Sequence, residues 1–237
     1  MYQLFFTPQW FNGFDLVFEG IILIIALLIA AYSWKIYKFS RENKFAYFSV
    51  AFVTIALSFM FKIFTHSVLY FFSIREATAT VLSPLTGPGL QFADLFYRSA
   101  FFIQMFLMLT ALLLIFFIAQ KSRKRLTKLY EVSQMVLFVY LIFLISFVAN
   151  FNYVVFYLTG SVILGLIVVQ YYKNYLNANH NKNTFNVMLG FLFILIGNIF
   201  FVFVYIYNQL YVLGEAFMLI GFLVLLGTYR KIKKVRV

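Results

Sequence analysis

The sequence predicts an all-α polytopic membrane protein, a bundle of seven transmembrane helices with its N-terminus outside and its C-terminus cytoplasmic. Three observations carry this. Of 237 residues, 64% are hydrophobic and 22% aromatic, and only 11% are charged. Soluble domains are roughly 45–50% apolar and about 25% charged. The apolar residues fall into runs as long as a lipid-crossing helix, and the basic residues fall on alternate connections between them. A disordered chain, a disulfide-stapled secreted domain and a soluble enzyme do not fit this composition.

Crossing about 30 Å of hydrocarbon takes roughly 20 apolar residues in a helix. Seven segments meet that length: 14–36, 45–72, 91–119, 132–150, 152–172, 184–207 and 210–229. Together they make residues 1–237 a single transmembrane domain. They are rich in Leu, Ile, Phe and Val without polar alternation, which argues against the strands of a β-barrel. The first run lacks a preceding basic stretch and a following small-residue cleavage site. It therefore reads as a retained helix and not a signal peptide.

Charge sets the orientation. Lys35, Lys38, Arg41 and Lys44 follow the first span, a run from Lys121 to Lys128 follows the third, and Lys173 and Lys182 follow the fifth. Arg230, Lys231, Lys233, Lys234 and Arg236 follow the seventh. That side opposes its bases with only Glu42 and Glu131. Basic connections stay cytoplasmic, so this is the inner side of a multi-pass protein integral to the cell membrane. The net charge of +12 is then topology plus attraction to anionic lipid headgroups at the inner face. An acidic cytoplasmic protein is a further partner for these loops, and nucleic acid is not expected. Trp34, Tyr47, Tyr172 and Tyr229 fall near the inner boundary, and Tyr70, Tyr153, Tyr205, Tyr207 and Tyr211 near the outer one, as in aromatic belts.

Short connections make consecutive spans antiparallel neighbours. The exception is residues 73–90, where Ser83-Pro84 and Thr86-Gly87-Pro88-Gly89 mark an outer loop of the kind that covers a site. Gly190 and Gly197 in the sixth span, like Gly214 and Gly221 in the seventh, stand seven residues apart and so share a helix face. Such faces let neighbouring backbones approach, so the last two spans should pack tightly. Pro8, Pro84 and Pro88 all lie outside the spans, which leaves the helices unbroken, unlike those of many transporters.

Ionisable residues within spans are costly in lipid and are the first candidates for function. Glu19, Lys62, His66, Asp94, Arg98 and Glu215 all fall in the outer third of their spans. Gln104 and Asn198 lie deeper, near mid-membrane. These eight outline an outward-facing polar pocket for a small ligand, floored by the two amides. The competing reading is a structural charge cluster with Lys62 and Arg98 snorkelling to the headgroups. In either case Glu215→Gln alone should be worse than Glu215→Gln combined with loss of its partner base.

Specific chemistries find little support. The seventh span has no lysine for a retinal Schiff base, and His66 and His180 fall on opposite sides of the membrane, unsuited to a shared haem. The inner face lacks clustered carboxylates for magnesium. No nucleophile elbow, zinc-protease or phosphate-loop motif occurs. No cofactor and no metal are expected, and an enzyme is disfavoured, with an outer-face hydrolase the residual case. The expectation is a receptor or sensor that signals through a cytoplasmic partner. A small-solute or ion transporter and a structural subunit of a membrane complex are the alternatives.

Overall fold

The computed structural model describes residues 7–74, 76–78, 80, 92–120, 153–178 and 180–236 of the chain, with backbone alone for 92–98 and 232–236. After a 3-10 turn at Gln9–Phe11 come six long helices: α1 (Phe14–Ser40), α2 (Asn43–Tyr70), α3 (Phe92–Gln120), α4 (Tyr153–Asn177), α5 (Lys182–Val202) and α6 (Leu210–Arg236). All six are long and apolar enough to cross a membrane. They correspond to the first, second, third, fifth, sixth and seventh predicted spans. The fourth, 132–150, lies outside the described residues.

The helices are amphipathic in an inverted sense. On α1, Asp15, Glu19, Ile22, Ala26, Ile29 and Ser33 are buried, while Phe14, Val17, Ile21, Ile24 and Leu28 are exposed. On α2, Phe48, Phe52, Ile55, Phe59, Lys62 and His66 are buried, while Val50, Val53, Leu57, Met60 and Phe64 are exposed. Both sets advance by alternating steps of three and four residues, which keeps each on one stripe of a helix. The outward stripe is wholly apolar. Against water it would cost about 25 cal/mol for every Å² exposed; against lipid tails it costs nothing.

Each helix packs on the next in the order α1 to α6, and α6 returns to pack on α1. Most neighbours are antiparallel, but two pairs are parallel. At one end of α3 and α4 the rings of Phe101 and Tyr153 stack at 6.4 Å. At the other, Asn174 Nδ2 donates to the Ala119 carbonyl at 3.0 Å. In the same way Phe11, just before α1, meets Tyr211 at the start of α6, with ring centroids 6.3 Å apart.

The closest approach is between α5 and α6, as the glycine spacing predicts. A Cβ built on Gly197 would stand 2.7 Å from the Gly214 carbonyl oxygen, and one on Gly221 would stand 2.7 Å from that of Gly190. Only glycine permits this backbone-to-backbone contact.

Several boundaries differ from the sequence reading. Three helices continue past their spans at the basic end, to Ser40, Asn177 and Arg236, because helix does not stop where hydrocarbon does and Lys and Tyr solvate the last turns. The sixth span was expected to reach residue 207, but α5 ends at Val202. There the β-branched and aromatic run from Phe203 to Tyr207 turns tightly, with Ile206 N donating to the Phe203 carbonyl at 3.0 Å. Residues 72–74, 76–78 and 80 are helical, where the sequence suggested the start of a loop. Glu76 and Ala77 favour helix, and Thr78 Oγ1 donates back to the Ile74 carbonyl at 2.7 Å. The rest of that predicted loop, 75, 79 and 81–90, lies outside the described residues.

Candidate functional site

Two helical repeats build the site. Asp15 and Glu19 are four residues apart on α1, and Lys62, His66 and Tyr70 are spaced by four on α2. Residues four apart share a helix face, so each helix presents a polar ladder to the other. Glu215, six residues into α6, completes the group from the third side. Asp15, Glu19, His66 and Glu215 are fully buried, and Lys62 is 3% exposed.

Lys62 is the hub. Its Nζ lies 2.6 Å from Glu215 Oε1 and 2.9 Å from Glu19 Oε1. One ammonium thus ties three helices together. The rings of Phe201 and Tyr211 flank it at 5.5 and 5.6 Å from their centroids, giving its charge additional cation–π contact. The lysine does not snorkel: it is buried and turned to two carboxylates.

One helical turn further along α2, His66 Nδ1 stands 3.1 Å from Glu19 Oε1 and 3.3 Å from Asp15 Oδ2. The Asp15 carboxylate is itself fixed. Its Oδ1 accepts from the backbone N–H groups of Gly13 and Leu16, both at 2.9 Å, and its Oδ2 accepts from Tyr70 Oη at 2.6 Å. Gly13 has φ of 92°, a conformation glycine adopts without strain, and this turn aims its N–H at Asp15. The Asp15, Glu19 and His66 ligand atoms all lie within 4.8 Å of one another.

Comparison with known proteins adds no name to this arrangement. No family model, curated protein or solved structure matches the chain. The site must therefore be read from its own geometry.

Of the residues singled out from sequence, Glu19, Lys62, His66 and Glu215 meet. Asp94 and Arg98 lie near the start of α3, and their side chains are outside the described residues. Gln104 and Asn198 are buried a level deeper. Asn198 Nδ2 donates to the Tyr157 carbonyl at 2.6 Å and lies 2.9 Å from Ser161 Oγ, so it belongs to the α4–α5 contact. Gly160 makes that possible, because a Cβ there would lie 3.0 Å from Asn198 Nδ2. The Gln104 backbone carbonyl accepts from Ser58 Oγ at 2.9 Å. Its side-chain Oε1 is buried without a hydrogen-bond partner among the described residues.

Below Lys62, five helices enclose a cavity of about 30 Å³. Lys62, Gln104 and Asn198 line it together with Phe59, Met108 and Met218, and the rest of its wall is largely apolar. Sequence reasoning missed Asp15, Tyr70 and Tyr211. The first two were legible as the next rungs of the four-residue ladders. Tyr70 and Tyr211 were assigned to the outer belt because a tyrosine near a helix end looks interfacial whichever way it faces. The same error applies to Tyr153 and Tyr229: both are buried, as is Tyr211, because their helices turn those faces to neighbours.

Proposed function

We propose that the protein is a seven-span receptor or sensor of the cell membrane, whose interior cavity takes a small neutral molecule from outside. Helix direction supports the span count. α1 and α6 run parallel, so the crossings from one to the other, both included, must be odd in number. The six described helices need one more, and the apolar segment 132–150 lies between the parallel α3 and α4. The basic ends then lie in the cytoplasm, available to anionic lipid and to an acidic partner that would carry the signal.

The cavity carries the functional reading. Its wall is largely apolar with a few converging polar groups, the make-up of a small-molecule site, though at about 30 Å³ it has room for about one water and a larger guest must displace its walls. Lys62 already has two carboxylates, so no charged ligand is called for. Among the described residues Gln104 Oε1 is an unsatisfied buried acceptor, and leaving it so costs about 1–3 kcal/mol. A ligand hydroxyl would satisfy it. Met108 and Met218 are flexible enough to repack around a guest.

Sensing fits better than transport. Toward the inner face, the buried polar side chains among the described residues are the hydroxyls of Ser33, Ser49, Thr228 and Tyr229. Ser49 and Thr228 are spent on the carbonyls of Ala30 and Val224. No ladder of ionisable groups continues inward from Lys62 among the described residues.

Short-chain alcohols from ethanol to 1-hexanol test the reading. The protein in lipid nanodiscs carries an environment-sensitive label on Asn181→Cys, at the exposed inner start of α5. The label should respond to alcohols up to a limiting chain length and not beyond. Methyl ethers of equal size should act more weakly, and Gln104→Leu should erase that difference. A response that rises steadily with chain length, as bilayer partitioning does, would exclude a bounded internal site.

A further inference from the structure

We propose that Asp15, Glu19 and His66 form a binding site for a first-row divalent metal ion. The proposal is independent of the cavity and its ligand, and it stands on donor geometry, an unused oxygen and charge.

The donors are one imidazole nitrogen and two carboxylates, a mixed set suited to zinc, manganese, iron or cobalt. In a tetrahedral site with bonds of about 2.0–2.1 Å, ligand atoms stand about 3.3–3.4 Å apart. His66 Nδ1 lies 3.3 Å from Asp15 Oδ2 and 3.1 Å from Glu19 Oε1. Two of the three separations thus already match the edges of a metal tetrahedron, and the third pair lies within 4.8 Å, with one position left for water. All three side chains are fully buried and rise from the facing ladders of α1 and α2, which hold them in place.

The surrounding groups resemble the outer shell of a metal site, where ligand carboxylates are themselves hydrogen-bonded. Asp15 Oδ1 takes two backbone N–H groups, which leaves Oδ2 to face His66, and Tyr70 Oη steadies that oxygen. Glu19 has a second oxygen, Oε2, that is buried without a hydrogen-bond partner among the described residues. The ion would hold Glu19 through Oε1, the atom whose spacing fits, with Oε2 beside it as a second donor and Lys62 kept by Glu215.

Charge points the same way. Asp15, Glu19 and Glu215 bring three negative charges and Lys62 one positive. With His66 neutral, as a metal ligand must be, the buried group is two charges short of neutral. One divalent ion supplies both. Glu215 lies 2.6 Å from Lys62 and so keeps the ammonium partnered when the ion draws on Glu19.

Cobalt(II) is the probe. The chain has two histidines and no cysteine, so His180→Asn, at an exposed turn, leaves His66 as the single imidazole and removes no predicted ligand. The full chain with that substitution, purified without a histidine tag and held in lipid nanodiscs, should take up one cobalt. Its visible spectrum should be that of a four-coordinate ion, and X-ray absorption should show an imidazole nitrogen. Adding His66→Gln or Asp15→Asn should abolish the bands, and Tyr70→Phe should weaken binding about 10- to 100-fold. No bound cobalt, cobalt without imidazole, or bands that survive His66→Gln would overturn the site. Should His66→Gln fail to fold, the imidazole signal of the His180→Asn protein decides by itself.

Discussion

Replacing Lys62 with methionine is the sharpest perturbation of the charge cluster. Methionine keeps most of the aliphatic stem and removes the ammonium, and with it the cation–π contacts to Phe59, Phe201 and Tyr211. Glu19 and Glu215 would then face each other's charge with no cation between them, at sites that are fully buried. Removing one partner of a buried ion pair costs about 3–5 kcal/mol. For a chain of this length that corresponds to a fall of about 6–20 °C in the unfolding midpoint. Glu215→Gln is milder, because Lys62 retains Glu19 at 2.9 Å and the glutamine amide oxygen can still accept from it. Its cost should be about 1–2 kcal/mol. The double variant should fall between the two, since it removes one of the stranded carboxylates. One lysine shared by two acids therefore reverses the order expected of a simple pair, in which the single acid substitution is worse than the double. The assay is heating in nanodiscs followed by fluorescence-detected size exclusion of the surviving protein. If Lys62→Met loses no more than Glu215→Gln, the lysine is not the shared counter-ion and the reasoning fails.

Three further outcomes are expected. Gly197→Ala should destabilise the α5–α6 contact by about 1–3 kcal/mol through overpacking, while Gly165→Ala, which meets nothing within 4 Å, should not; equal thermal midpoints would contradict the close approach. Single cysteines can be placed in a chain that has none. At Asn12 and Asn208 an impermeant thiol reagent should label them from outside the cell, and at Lys38 and Asn181 only after permeabilisation. Labelling of Asn12 and Asn208 from opposite sides would refute the parallel run of α1 and α6. Tyr70→Phe removes the 2.6 Å hydrogen bond to Asp15 and should cost about 1.5–3 kcal/mol, as for a bond to a charged group, measured by the same heating assay.

The sequence made the helices legible because lipid imposes one demand that composition states directly: about 20 apolar residues per crossing. It also placed Glu19, Lys62, His66 and Glu215 at one depth, since depth follows from counting along a helix. It could not say which way each residue faces. Arg98 looked as good a partner for the acids as Lys62. The four-fold contact of Lys62 with two carboxylates and two rings depends on how three helices rotate about their axes. Helix rotation is set by packing, as at Gly190, Gly197, Gly214 and Gly221. Those glycines were readable as a smooth face, though the partner face had to be assumed. Tyrosines misled for the same reason: Tyr211 and Tyr205 look alike in sequence, yet one is buried against Lys62 and the other is exposed.

The bond between Lys62 and Glu215 spans 153 residues of chain, and that separation has a consequence for biogenesis. Synthesis runs from the N-terminus at about 5–20 residues per second, so α1 and α2 enter the membrane well before α6 exists. During that interval Lys62 and Glu19 can satisfy each other, and the pair waits on the side of the assembly that is still open. Glu215 arrives last, on the helix that also closes the ring against α1. The charge cluster thus acts as a latch between the first-made and last-made parts of the molecule. A chain truncated before α6 would expose it to lipid, a recognisable mark of an unfinished protein.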